Sequence, residues 1–108
     1  MADAFEDRKK KHEDKWAHDE ELRFKIGARR NKLLGLWAAA EMGFSNAAAQ
    51  EYAKSVVVTD LKGADAVFRK IRGDFDAAKL AHSDHAIRRK TEELLAEAAD
   101  QIMHETKR

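Results

Sequence analysis

The stretch YAKSVVVTDLKG, residues 52–63, decides the fold. Val56, Val57, Val58 and Thr59 are β-branched, and on local preference alone they favour a strand. Two features favour a helix instead. Val56 and Val57 continue the face begun by Ala49 and Tyr52, and the chain holds no second strand candidate with which a first could pair. Read this way, the chain is all-α. Asn46 is placed to cap this helix, and DLKGAD, residues 60–65, ends it.

Toward the N-terminus, Leu22, Ile26, Leu33, Trp37 and Ala40 recur at spacings of four, seven, four and three, which puts them on one face of a long helix. That helix stops at Gly43, a residue suited to a left-handed C-cap. Toward the C-terminus, Asp65 caps a third helix with Val67, Phe68, Ile71, Phe75 and Ala78 inward, and Gly73 weakens its second half by about 1 kcal/mol relative to alanine. AHSDH, residues 81–85, is the last break, with Ser83 or Asp84 as cap. Beyond it Ile87, Leu94, Leu95, Ala98 and Ile102 form the clearest amphipathic stripe in the chain. Four helices joined by short loops make an antiparallel four-helix bundle or a close variant.

Composition agrees with that reading. The 108 residues suffice for one domain, and 38% charged with 44% apolar residues describes a helix-rich soluble chain. The absence of proline removes any bar to long helices, and the absence of cysteine excludes disulfides, thiolate zinc sites and a cysteine nucleophile. No apolar run approaches the roughly 20 residues of a bilayer span, and the first residues lack the apolar core of a signal peptide. The expectation is a cytoplasmic protein with no direct membrane insertion.

Residues 1–21 stand apart from the bundle pattern. They hold eight acids against five bases, a net of −3, and few apolar residues besides Phe5 and Trp16. That is too little burial to offset roughly 1–2 kcal/mol of backbone entropy per residue, so this stretch is expected to be a disordered or fraying arm. It is nevertheless composed of helix formers, with Glu6–Lys10 and Asp7–Lys11 at the favourable i,i+4 spacing. As a helix it aligns Phe5, Lys9, His12 and Trp16 along one edge, ready to fold against a partner that supplies the missing apolar surface. Immediately after it, Arg23, Lys25, Arg29, Arg30 and Lys32 form a secondary basic patch with no acid among them, suited to a phosphate or an acidic protein surface, or else a solvated helix face.

The sequence carries little catalytic chemistry. HEDKW, residues 12–16, begins like a zinc-protease helix but carries Trp16 where the second histidine belongs. His82 and His85 lie at a polar helix start and read as surface residues, so no metal is expected. Phosphate-cradling glycine loops and a GxSxG elbow are absent, and Ser45, Ser55 and Ser83 have no evident base, so neither an enzyme nor a cofactor is expected.

The string FEDRKKKHEDKWAHDEELRFKIGARRNKLLGLWAA, residues 5–39, resembles the signature of the zeta subunit family, the inhibitor of the alphaproteobacterial F-type ATP synthase. The matching frame is F-x-D-R, H-E-x-K-aromatic-A-H-D, E-L-x-F-K and A-R-R-N-x-L-L-G-x-W-A-A, with YAKSVV and VFRKI resembling the family further on. The resemblance implies a mobile N-terminal inhibitory arm, residues 1–19, on a four-helix domain, residues 20–108. The arm would enter a catalytic interface between the alpha and beta subunits, become helical, contact the gamma subunit and block rotation in the hydrolytic direction. The protein would then associate peripherally with the membrane-bound enzyme. Onto this sequence the resemblance carries Phe5, Asp7, Arg8, His12, Glu13, Lys15, Trp16, Ala17, His18 and Asp19 as partner-binding residues, with Lys9, Lys10 and Lys11 at positions where family members vary. Trp37, by contrast, falls on the core stripe of the first helix.

Two other classes compete with an inhibitor. A nucleic-acid binder would use Arg23 to Lys32, but the acidic arm beside that run would repel a phosphate backbone, so no nucleic acid is expected. A small helical assembly factor with another protein partner shares the same periodicity.

Overall fold

The computed structural model describes Trp16 and residues 18–106. Of residues 1–21, expected to form a disordered or fraying arm, residues 1–15 and Ala17 lie outside that range. Four helices follow in order: α1 (Glu20–Glu41), α2 (Asn46–Thr59), α3 (Ala66–Ala77) and α4 (Asp84–Thr106), with a single 3-10 turn, Asp60–Lys62, after α2. There is no strand among the described residues.

The β-branched run is helical because burial overrides local preference. Val56 is fully buried in the main core, alongside Leu34 and Ala38 of α1, Ile71 and Phe75 of α3 and Ile87 of α4. Ser55 and Thr59 fit the helix by donating their hydroxyls to the carbonyls of Tyr52 (2.6 Å) and Ser55 (2.7 Å).

Helix α1 is the central element, packed on both α2 and α4. Two covered sides explain why its buried residues do not follow a single stripe. Ile26, Asn31, Leu34, Gly35, Ala38 and Ala39 are buried, whereas Ala40, expected inward, is exposed. Ala78 is likewise exposed rather than inward, since α3 ends at Ala77. Trp37 is half-buried and packs as expected, its ring 5.5 Å from that of Phe75 and 5.7 Å from that of His82.

The helix ends follow known capping chemistry. Gly43, at φ 86°, closes α1 as the left-handed residue of a Schellman motif, in which Phe44 N–H donates to the Ala39 carbonyl (2.8 Å) and Gly43 N–H to Ala40 (3.0 Å). The cap of α2 is Ser45, not Asn46; Asn46 is already the first helical residue. Asp65 precedes α3 in a left-handed conformation without a side-chain cap bond, and Ser83 Oγ accepts from the Ala86 N–H at 3.0 Å to start α4.

Candidate protein-interaction site

The chain meets the bundle at Trp16. Asp19 caps α1, its side chain accepting from the Leu22 N–H at 3.1 Å, while its own N–H donates to the Trp16 carbonyl at 3.1 Å. That turn lays the indole across the open end of the α1–α4 seam, where it forms a second apolar cluster with Ile26, Ala98, Ala99 and Ile102. Trp16 is only 7% exposed. The expectation that residues 1–21 stand apart from the bundle packing does not hold at Trp16: this end of α1 and α4 presents apolar surface that the four helices leave uncovered, and the ring covers it. The fit is incomplete, because the indole Nε1 is buried without a hydrogen-bond partner. Such an orphaned donor costs roughly 1–3 kcal/mol and offsets part of the gain from burying the ring.

Of the other expected arm residues, His18 and Asp19 are exposed at the turn. Phe5, Asp7, Arg8, His12, Glu13, Lys15 and Ala17 lie outside the described residues.

The basic patch divides in two. Arg29 reaches α4, its guanidinium donating to Gln101 Oε1 (2.7 Å) and to both carboxylate oxygens of Glu105 (2.8 and 3.0 Å). The Glu105 hydrogen bonds hold the Arg29 pKa above the ordinary value. Arg30 turns its Nε and Nη2 onto Asn31 Oδ1 (3.0 and 2.8 Å) and stands 3.9 Å from Asp60. Burial lowers its pKa, against the pull of Asp60. These two arginines tie helices together. Arg23, Lys25 and Lys32 remain exposed, with Lys25 3.0 Å from Glu21.

Between α1 and the end of α2 lies a feature that the sequence reading missed. Phe24, Val58 and Leu61 project into solvent around a cleft of about 230 Å³ floored by Gly27, Ala28 and Val57. A signal was present, for Phe24 sits two residues from both Leu22 and Ile26 and so falls off their face.

His82 Nε2–H donates to Glu41 Oε1 at 2.7 Å, and the ring lies 4.8 Å from that of Phe75. Among the described residues no group of three or more His, Asp or Glu side chains is placed to hold a metal ion, and no helix is long and apolar enough to cross a membrane.

Comparison with known proteins places these features in a family. The family model for ATPase inhibitor subunit zeta matches residues 1–101. Among solved structures, a solution NMR structure is 42% identical and superposes with a TM-score of 0.69, the match covering 78% of this chain and 98% of that one. The comparison with curated proteins finds no match.

Proposed function

The chain belongs to the ATPase inhibitor subunit zeta family, and from that premise we propose that residues 1–19 are the inhibitory arm and residues 20–108 the domain that carries it. Inhibition of the ATP synthase is the role of the family. The finer reading is that the arm enters a catalytic alpha/beta interface, folds there as a helix, contacts gamma and stops rotation in the hydrolytic direction.

The observation that carries this reading is the junction at Trp16 and Asp19. A residue packed on the bundle and a capped helix start fix where the chain leaves the domain. Fixing the base of a segment reduces the freedom it must lose on binding. Phe5, Asp7, Arg8, His12, Glu13, Lys15, Trp16, Ala17, His18 and Asp19 are then the partner-binding residues, and the packing of Trp16 and the cap bond of Asp19 tie the base of the arm to the domain. The short apolar inventory of the arm fits the same role, since it gains a hydrophobic environment only within the partner.

The test is a titration of ATP hydrolysis by the ATP synthase with the full chain and with a chain lacking residues 1–15. The full chain should inhibit and the truncated one should not, with melting curves unchanged. Equal inhibition by both would remove the arm as effector.

A further inference from the structure

Of the four large apolar side chains most exposed on the described surface, three, Phe24 (73%), Leu61 (81%) and Val58 (59%), line a single cleft. None of them belongs to either core cluster. Two neighbouring depressions extend the same surface, one sharing Phe24, Ala28 and Val57 with the cleft and the other sharing Val57 and Val58. The floor is shallow and open, since a Cβ added at Gly27 would meet nothing within 4 Å. A continuous apolar groove between two helices is the shape that receives the ridge of a third helix.

The rim gives the sign of the partner. Lys25, Lys32 and Lys54 border this surface. Its two acids are engaged by arginines, Glu105 by Arg29 and Asp60 by Arg30. Lys25 and Lys54 share pairs with Glu21 and Glu51, but these are solvent-exposed and contribute little to holding the lysines. A basic rim around an apolar floor is complementary to an apolar helix edge flanked by acids.

We propose that this cleft is a second docking site for the ATP synthase, one that takes a surface helix with an apolar ridge and acidic flanks. The inference rests on the inhibitory reading above. Two attachment points on one chain make arm binding effectively intramolecular once the domain has docked, which raises the affinity of an arm with few apolar residues.

The test measures binding of the fluorescently labelled full chain to purified ATP synthase, in parallel with ATP hydrolysis. One variant, Phe24→Ser with Leu61→Ser, removes the apolar contact; another, Lys32→Glu, reverses a rim charge. All three positions are exposed, so melting curves should match the parent. Each variant should raise Kd about tenfold or more while still reaching full inhibition at saturation, because the arm is unchanged. Values of Kd within twofold of the parent would overturn the docking site. A parent chain that dimerises, with the dimer lost in the serine variant and Kd for the ATP synthase unchanged, would assign the cleft to a second copy and also overturn it. A parent that binds without inhibiting contradicts the inhibitory reading alone, and the comparison of Kd values still decides the cleft. A parent that does not bind overturns both.

Discussion

Gly35 of α1 packs directly against the backbone of Ala53 of α2: a Cβ built on Gly35 would fall 2.6 Å from the Ala53 Cα and 3.2 Å from its Cβ. The obstructing atom is backbone and cannot swing aside. Gly35→Ala should therefore force α1 and α2 apart and cost about 1–3 kcal/mol, the usual range for overpacking, despite the better helix propensity of alanine. Urea unfolding of the variant checks this; an unchanged or raised midpoint would show that the helices cross elsewhere.

The Trp16 junction predicts different outcomes for two truncations. Removing residues 1–15 should leave the melting curve in place. Removing 1–19 also deletes a buried tryptophan and the Asp19 cap. Loss of a cap costs about 1 kcal/mol, and large aromatic deletions commonly cost about 3–5 kcal/mol, reduced here by the orphaned indole donor. Thermal melts of the two chains should differ clearly. Identical melts would mean that Trp16 contributes no packing in solution.

Helix α3 ends in a Schellman motif built on a lysine. Lys79 has φ 60°, its N–H donates to Asp76 at 3.0 Å, and Leu80 N–H donates to Phe75 at 2.9 Å. A side chain in this left-handed conformation costs roughly 1–2 kcal/mol that glycine avoids, partly offset by the extra freedom of glycine when unfolded. Lys79→Gly is expected to raise stability by on the order of 1 kcal/mol, read from the urea midpoint.

Much of this architecture was legible because the breaks carry strong local chemistry. Gly43 occupies the left-handed position expected of it, Ser83 makes its cap bond, and Asp65 stands at the start of α3 although its side chain makes no cap bond. The valine run was legible as helix because it continues the face of Tyr52 and has no strand to pair with, and Val56 is buried on that helix. What the sequence concealed depends on which sides of an element are covered. Helix α1 is buried on two sides, so Leu34, Ala38 and Ala39 count as core where a one-face reading favoured Ala40. The packing of Trp16 was hidden for the same reason, as its apolar seat combines Ile26 with residues some eighty positions away. The split of the basic patch depends on Glu105, Gln101 and Asp60, which lie far from it along the chain or on another element.

Tyr52 should make the fold sensitive to alkali. Its hydroxyl donates to Asp74 Oδ2 at 2.7 Å, beside Lys70, which is 3.1 Å from the same oxygen. Burial first, and then this bond to a carboxylate, raise the Tyr52 pKa well above the ordinary value. The folded state thus retains a proton that the unfolded chain releases near pH 10, so the contribution is complete below about pH 10 and is lost as pH rises beyond it. Stability measured between pH 9 and 11 should fall. Tyr52→Phe should flatten that decline while costing about 1 kcal/mol at neutral pH; an equal slope in both chains would assign it to other groups.

A one-way block is tested most directly by parallel assay of ATP hydrolysis and ATP synthesis by the same ATP synthase, with the full chain added in increasing amounts. Hydrolysis should fall to a low plateau while synthesis, driven by a proton gradient, continues near its starting rate. Equal loss of both activities would contradict an arm that stops rotation in one direction, and undiminished hydrolysis would contradict inhibition itself.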